Sequence, residues 1–334
     1  LTDLSKKDDF WNDQEEAGKI LKKITKLQNR ITPWDDFFRE IDDMNTLYEM
    51  AIEANANEYE SEILDYINNL TEKLHKLEFM EYKYPFGEIV QPLVQKDRTA
   101  KQVFVLGVYA SAVHARWKKG NEIVCQALAV ASEPRIFWDG NPDEAKEIIS
   151  KIHIPDELGI LEPAGSHLNG PSAKVLDEHI LAPLGYTRKD AWLCDLLPET
   201  RLNASQVRVL KAKYEPKIKQ YGLNHVTIPK RPTVFCDQNR SKEILDELSE
   251  SKASLLVLLG DIPIQQFLNR ITDVNYTSLQ EYVNQYGYGN PSKAIINGKN
   301  INVLPLAHPR QIGALGAHNE KWFQCHLEWE NNKG

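Results

Sequence analysis

The chain has 334 residues, of which 42% are hydrophobic and 26% are charged, and its formal net charge is −8. This length predicts one or two domains, and this composition is ordinary for a globular protein. No apolar run approaches the roughly 20 residues that span a bilayer, and the N-terminus lacks the apolar stretch of a signal peptide. We therefore expect a cytoplasmic protein without membrane contacts.

The four cysteines, Cys125, Cys194, Cys236 and Cys325, are far apart and form no Cys-x-x-Cys pair. Zinc sites and iron–sulfur clusters usually draw their ligands from such closely spaced pairs. We therefore expect neither a metal nor another cofactor. Cys194 and Cys236 fall in apolar runs, which indicates buried thiols in a reducing compartment.

The first 79 residues differ from the rest in charge and in pattern. They hold 10 basic and 19 acidic residues, a net charge of −9, whereas residues 80–334 have a net charge of +1. Apolar residues recur in the first segment at steps of three and four, which predicts amphipathic helices. Thr32-Pro33 predicts a break between the first two helices. The pattern is compatible with a three-helix bundle or with an antiparallel helical hairpin.

The same segment resembles a known family. Asp9-Phe-Trp-Asn-Asp-Gln14 and the Leu-Glu-Phe ending at 77–79 are similar to the N-terminal helical domain of bacterial peptide chain release factor 2, over about residues 3–79. The Gly-Gly-Gln and Ser-Pro-Phe tripeptides of such factors do not occur in the sequence. The resemblance thus implies an acidic, non-catalytic helical domain over residues 1–79, without ribosome association. A second, catalytic domain is expected over residues 80–334, starting at Met80.

The second part alternates between apolar runs and helical stretches. Four short runs predict strands, at Val103–Leu106, Ala191–Leu197, Ser254–Leu259 and Ile301–Leu306. Helical patterns cover 172–184, 205–220, 241–251 and 262–271. This alternation predicts an α/β domain with a parallel sheet and helices on both of its faces. Ligands of such sheets bind at the carboxyl ends of the strands, where Gly107, Asp195 and His308 fall.

These pieces resemble, in their order, the uracil-DNA glycosylase superfamily over about residues 100–327. That superfamily has a Gly-x-(Asp or Asn)-Pro motif after its first core strand, a middle strand that usually ends in Asn, and a late His-Pro-Ser loop. Here the corresponding segments are Val103–His114, Trp192-Leu-Cys-Asp195 and Leu304–Gly313, with Gly165–Gly185 similar to the helix before the middle strand. The resemblance implies a three-layer α/β/α fold, DNA as partner, a monomer, and hydrolysis of the bond between base and sugar.

The resemblance also assigns residues. Gly107 matches the first-motif glycine, with Val108 beside it at the substrate. Asp195 takes the place of the Asn that recognises the base edge, and His308 that of the histidine that stabilises the departing base. Arg310 and Gln311 would hold the phosphate or the sugar of the flipped nucleotide. Ile312, or alternatively Leu315, would insert as an apolar wedge into the base stack.

Three departures from the motif bear on the chemistry. Tyr109 stands where the motif has an Asp or Asn, so Glu162 or Asp195 is expected to orient the catalytic water in its stead. Ser111 stands where uracil enzymes have a tyrosine that blocks substituents at C5 of the base. Asp195 replaces an amide, and a carboxylate only accepts hydrogen bonds, which suits the N4 amine of cytosine.

We therefore expect excision of a cytosine with a bulky C5 group, such as the hydroxymethylated or glucosylated cytosine of phage DNA, as anti-phage defence. Four alternatives stay open at this point. They are a uracil-DNA glycosylase of base-excision repair, a module that binds a modified base without cutting it, a different hydrolase on a similar sheet, and a ribosome-associated protein.

Overall fold

A computed structural model describes residues 14–53, 59–79, 82–313 and 319–333. The chain divides into two compact units, Leu1–Glu81 and Tyr82–Gly334. The described part of the first unit consists of helices α1 (Gln14–Glu53) and α2 (Glu60–Phe79). They pack through a small apolar cluster centred on Phe37 and Leu70, beside an ion pair of 2.5 Å between Lys73 and Glu40.

The predicted helix break at Thr32-Pro33 is wrong. Helix α1 continues through Pro33. A proline inside a helix removes one backbone hydrogen bond and costs about 3 kcal/mol. The turn that follows offsets this cost, because Trp34 and Phe37 belong to the apolar cluster that joins α1 to α2.

The second unit contains eight strands and ten α-helices among its described residues. The strands are β1 (Val103–Tyr109), β2 (Ala112–Lys119), β3 (Glu122–Ser132), β4 (Ile160–Pro163), β5 (Ala191–Leu197), β6 (Leu255–Leu259), β7 (Ser292–Ile296) and β8 (Lys299–Leu306). The helices are α3 (Pro142–Ser150), α4 (Pro171–Val175), α5 (Ala204–Val209), α6 (Glu215–Tyr221), α7 (Gln238–Ser251), α8 (Asp261–Pro263), α9 (Asn269–Ile271), α10 (Leu279–Tyr286), α11 (Pro309–Ile312) and α12 (Glu320–Asn331). Three π-helical turns extend or join them, at Leu176–Leu181, Leu210–Tyr214 and Ile264–Leu268.

The main sheet has the strand order β5-β1-β6-β8-β7. The first four strands are parallel, and β7 pairs antiparallel with β8. Residues 103–108 of β1 are all buried, so both faces of this strand are covered. The predicted mixed α/β class with a mostly parallel sheet is therefore confirmed, and each of the four predicted strands is one of its parallel strands.

A smaller antiparallel sheet, with the order β3-β2-β4, was not predicted. It lies in the chain between β1 and β5 and has a core of its own around Trp117. The indole N–H of Trp117 donates to the Leu158 carbonyl at 2.7 Å. Charged residues interrupt the apolar pattern of Ala112–Lys119, so that this segment does not stand out as a strand.

The topology places a crevice at the carboxyl ends of the parallel strands. From β1 the chain proceeds to β5 on one side, and then to β6 on the other side of β1. Sheets of this kind bind ligands where the strand order reverses in this way, here between β1 and β6. None of the helices in the described ranges is both long and apolar enough to cross a membrane.

Replacing a buried residue of the central strand β6 should weaken the second unit. Leu258 is fully buried, so Leu258→Ala should lower the free energy of unfolding by about 2–5 kcal/mol. Ile295 on the edge strand β7 is 67% exposed, and Ile295→Ala should change it by less than about 0.5 kcal/mol. Urea unfolding followed by tryptophan fluorescence measures both. Equal losses in the two variants would contradict the assigned core.

Candidate functional site

The Asp195 carboxyl lies at the carboxyl edge of the main sheet, against the neighbouring strand. Asp195 is 5% exposed and is paired in register with Gly107 of β1. A Cβ atom at position 107 would lie 2.2 Å from Asp195 Oδ1 and 2.9 Å from Phe137 Cζ. Only glycine therefore permits this approach. The Asp195 carboxyl and the Phe137 ring thus both pack against the backbone of Gly107.

No described residue donates a hydrogen bond to the Asp195 carboxyl. Arg240 of α7 donates instead to the Asp195 backbone carbonyl, at 2.8 Å. Burial raises the pKa of Asp195 to about 7, and the charge of Arg240 opposes part of that rise. A buried polar group without a partner is costly and calls for an explanation. We interpret this carboxyl as one whose partner is a ligand.

A second buried carboxyl, Glu133, lies close to the first. It follows β3 directly and is 6% exposed. Burial above all, with the nearby charge of Asp195, raises the pKa of Glu133 to about 8, while the Trp138 backbone N–H and the Ser111 hydroxyl act against this rise. Burial therefore favours the protonated form of both carboxyls. Sequence reasoning missed Glu133, whose signal was a charged residue after the apolar run 127–131.

The loop that follows Glu133 presents Phe137 in a rare backbone conformation. Its φ of 48° is in the left-handed region, which aromatic residues seldom adopt. The loop is fixed on both sides of Phe137, because Trp138 Nε1 and Arg135 Nη1 both donate to Glu144, at 2.6 and 2.8 Å. Trp138 is buried and has a packing role. The half-buried ring of Phe137 is thereby held against Gly107.

His308 follows β8 and caps helix α11. Its Nδ1 accepts from the Arg310 backbone N–H at 3.1 Å, and its own backbone N–H donates to Gln311 Oε1 at 3.0 Å. The neutral ring therefore carries its hydrogen on Nε2. Burial, followed by the charges of Arg310 and Arg231, lowers the pKa of His308 to about 4. His308 is thus a neutral hydrogen-bond donor at physiological pH.

Two exposed arginines flank this histidine. Arg231 lies over two aromatic rings, 5.1 Å from the centroid of Phe235 and 5.9 Å from that of Tyr109. These rings stack on each other at 6.0 Å. Arg310 is exposed on α11. Guanidinium groups in this arrangement suit phosphate oxygens. Arg231 was not singled out from the sequence, because a Lys-Arg-Pro tripeptide is ordinary in a loop.

The sheet edge gathers most of the residues that were expected there. Asp195 of β5 and His308 after β8 are separated by three strand spacings, about 14 Å at ~4.8 Å per strand. Strands β1 and β6 lie between them. The end of β1 lines this edge, and so does Gly260 after β6, where an added Cβ atom would lie 3.3 Å from the Cβ atom of His308. At or beside this edge stand Gly107, Val108, Tyr109, Ser111, Asp195, His308, Arg310 and Gln311.

Two expected site residues do not join this group. Glu162 lies on β4 of the small sheet, opposite Arg116, where its carboxylate forms an ion pair of 3.2 Å with Lys118. It is therefore not placed to orient a water at the main sheet. Ile312 is 6% exposed and belongs to the main core, so it is not a wedge that enters a DNA stack. Leu315, the alternative wedge, lies outside the described residues.

Among the described residues, no group of three or more His, Cys, Asp or Glu side chains is arranged to hold a metal ion. The cysteines at 125, 194 and 236 are buried, and Cys325 is half-buried.

Comparisons with known proteins reach a limited part of the chain. No protein-family model matches it. Peptide chain release factor 2 of Borreliella burgdorferi is 36% identical over 67 residues, which are 20% of this chain and 18% of that protein. The same factor of Nitratiruptor sp. is 30% identical over 78 residues (23% and 21% of the two chains), and that of Campylobacter concisus 33% over 70 residues (21% and 19%).

The chain thus spans about a fifth of the length of these curated relatives. They confirm the similarity of the N-terminal segment to release factor 2. The matches to these relatives give no evidence for a glycosylase.

The buried carboxyl at position 195 should make the fold less stable as the pH rises. The folded-state pKa of Asp195, about 7, lies above its ordinary value of 3.8, so the folded chain binds the proton more tightly. Stability is therefore lost as the pH rises from about 4 to 7. Asp195→Asn removes the charge and should raise the melting temperature at pH 8, with a gain of at most about 4 kcal/mol that vanishes near pH 4.

Asp190→Asn provides the control of opposite sign. Hydrogen bonds from Thr187 lower the pKa of this exposed carboxyl, so its stabilisation is present at neutral pH and is lost in acid. Asp190→Asn should therefore lower the melting temperature at pH 8. A destabilised Asp195→Asn variant at pH 8 would contradict the unpartnered state of that carboxyl.

Proposed function

We propose that the second unit is a DNA glycosylase that hydrolyses the bond between deoxyribose and a flipped cytosine with a substituent at C5. The observation that carries this proposal is the buried carboxyl of Asp195, which has no donor among the described residues and lies at the same sheet edge as the neutral His308. Flipping a base costs a few kcal/mol, and a site that completes its own hydrogen bonds with the base helps to offset that cost.

Asp195 suits the edge of cytosine that carries N3 and the N4 amine. The ionised carboxylate accepts a hydrogen bond from the amine, and the protonated acid also donates to N3. With a pKa of about 7, both forms are populated near neutral pH. The Phe137 ring, held beside Gly107, provides a flat apolar surface on which the base can stack.

The same carboxyl can act as the general acid of the reaction. As the C1′–N1 bond breaks, its electron pair passes to the base, and the proton of Asp195 passes to N3. Water adds to C1′ and releases a proton to solvent, which leaves an abasic deoxyribose and a neutral cytosine. The Nε2 hydrogen of His308 would point at the base oxygen, where negative charge develops in the transition state.

Two exposed arginines beside His308 support DNA as the partner. Arg231 and Arg310 flank His308 and are exposed, so they can bind phosphates on either side of the flipped nucleotide. The second unit is otherwise close to neutral in charge. Its affinity for DNA should therefore depend on these few local contacts.

Ser111 supports a substituted base. A serine is small, and this one is exposed at the start of the small sheet, where a larger residue would fill the space. Bases with large C5 groups, such as hydroxymethylated or glucosylated cytosine, occur in the DNA of some phages. Removal of such bases would serve defence against phages in the cytoplasm.

Tyr109 favours one other candidate, a module that binds the modified base without cutting it. The superfamily's motif carries an acidic or amide residue at this position, and Tyr109 is instead stacked on Phe235. Such a module would bind the same DNA but would produce no abasic sites.

An abasic-site assay tests the proposed function. Oligonucleotides with uracil, cytosine, hydroxymethylcytosine or glucosylated hydroxymethylcytosine are incubated with the protein and cleaved with hot alkali. We expect strand breaks only at the substituted cytosines, and about 10²–10³-fold slower cleavage by His308→Ala. Asp195→Asn should shift preference towards uracil.

The exposed His225 supplies the matched control, and His225→Ala should cleave at the wild-type rate. Cleavage of uracil alone would keep the reaction and discard the substrate. Binding to substituted DNA without any strand break would favour the non-catalytic module.

The pH profile tests the role of Asp195 as an acid. The rate should be constant while Asp195 holds its proton and should fall about tenfold per pH unit above its pKa of about 7. Single-turnover cleavage between pH 5 and 10 measures this limb, which Asp195→Asn should abolish. A wild-type rate that stays constant up to pH 10 would show that the acid proton is not used.

A further inference from the structure

The backbone immediately before His308 is held by a side chain from another part of the second unit. Ala307 is fully buried and is the first residue after β8. Its backbone N–H donates to the Tyr288 hydroxyl at 3.1 Å. A buried backbone N–H without a partner costs about 1–3 kcal/mol, so this hydrogen bond stabilises the point at which the chain leaves the strand.

The Tyr288 hydroxyl is in turn bonded to a buried histidine of α12. Its oxygen lies 2.6 Å from Nδ1 of His326, and Nε2 of His326 lies 2.6 Å from the His179 carbonyl oxygen. Burial lowers the pKa of His326, which is 2% exposed, and so favours its neutral ring. Because a carbonyl only accepts, Nε2 of this ring carries the hydrogen and Nδ1 accepts from Tyr288. Each donor between Ala307 and His179 thus has one acceptor.

Helix α12 also fixes the ring of Tyr288. Trp322 stacks on this ring with the centroids 6.1 Å apart, and Trp329 contacts it at an angle of 77° with the centroids 6.4 Å apart. Both tryptophans are buried. The neighbouring Gly289 has a φ of 76°, and a Cβ atom there would lie 2.0 Å from Trp329 Cδ1, so only glycine lets the indole approach. The Tyr288 hydroxyl is therefore held in a fixed position relative to α12.

The same helix is bonded to the chain on the other side of His308. Asn319, which precedes α12, donates its backbone N–H to the Gln311 carbonyl at 3.0 Å, and the Gln311 side chain accepts from the His308 backbone N–H at 3.0 Å. Helix α12 thus reaches the backbone on both sides of the imidazole. A displacement of about 1 Å at a reacting group can cost about 10²-fold in rate, so this double support bears on a histidine that donates to a base oxygen.

We propose that Tyr288 and His326 are positioning residues for His308, and that they transmit the position of α12 to its imidazole. The inference rests on the proposed function, because it gives these two residues a task in the reaction of His308. Tyr288 supplies the acceptor for Ala307, and His326 supplies the acceptor for the hydrogen of Tyr288. The phenol oxygen accepts from Ala307 only while its own hydrogen points elsewhere, so the loss of either side chain should loosen the same backbone N–H.

Single-turnover cleavage of hydroxymethylcytosine DNA tests this assignment. Tyr288→Phe removes only the hydroxyl, and His326→Leu removes its acceptor. Each should slow the bond-breaking step by about 10- to 100-fold and leave the Kd for the same DNA within about twofold. The double variant should lose no more than the slower single variant, because both changes interrupt one chain of hydrogen bonds. Tyr286 of α10 is 42% exposed, and Tyr286→Phe should react at the wild-type rate.

A conservative variant separates positioning from packing. His326→Asn keeps an acceptor for the Tyr288 hydroxyl but fills less space than leucine, so it should react about fivefold faster than His326→Leu. A packing role predicts the opposite order. That order, or a loss of DNA affinity as large as the loss of rate in Tyr288→Phe, would overturn the assignment.

The ring nitrogens of His308 provide a readout that needs no reaction. Proton–nitrogen correlation spectra of histidine-labelled protein without DNA should show the hydrogen on Nε2 in both His308 and His326. Tyr288→Phe should shift or split the His308 signals, whereas Tyr286→Phe should leave them in place. If the wild type cleaves no DNA, the proposed function fails, and altered His308 signals in Tyr288→Phe would still support the positioning role. Unchanged His308 signals in that variant would overturn it, whether or not DNA is cleaved.

Discussion

The close contact between Gly107 and the Asp195 carboxyl is the constraint on which the site depends. The two residues are paired on adjacent parallel strands, and only a residue without a side chain leaves room for a carboxyl oxygen at that distance. The contact shields the Asp195 carboxyl from water, and the Phe137 ring packs against the same glycine. The burial and the charge state of this carboxyl both follow from this one pairing, so the backbone of β1 contributes as much to the site as any side chain.

The site is destabilising in itself, and the surrounding core compensates for it. Two carboxyls are buried near each other, and Phe137 has a left-handed backbone conformation. Features of this kind persist where the neighbouring structure holds them in place, and they cluster at functional sites. Here the support comes from buried β1 and β6 and from the Glu144 contacts of the loop. Stability and activity are therefore expected to oppose each other at Asp195.

The sequence indicated the parts of the fold that have a regular pattern. The apolar runs that became β1, β5, β6 and β8 and the helices between them were predicted, as was the similarity of the N-terminal segment to release factor 2. Three features escaped prediction for physical reasons. Packing after Pro33 overrides the break in α1, charged residues conceal the strand pattern of β2, and Glu133 reaches the site through the small sheet, which no sequence spacing reveals. The helical position of Ile312 was compatible with an exposed wedge, and only the fold buries it.

The position of the small sheet in the chain has an evolutionary consequence. β2, β3 and β4 lie between β1 and β5 and pack around a core of their own, separate from that of the main sheet. Asp195 and His308 belong to the main sheet, whereas Ser111 and Glu133 are at the borders of the insertion. Mutations within the insertion can therefore alter the surroundings of Ser111 and Glu133 while Asp195 and His308 keep their places on the main sheet. A chain built in this way could change one wall beside Asp195 by varying a single segment, without rebuilding the parallel sheet that carries the site.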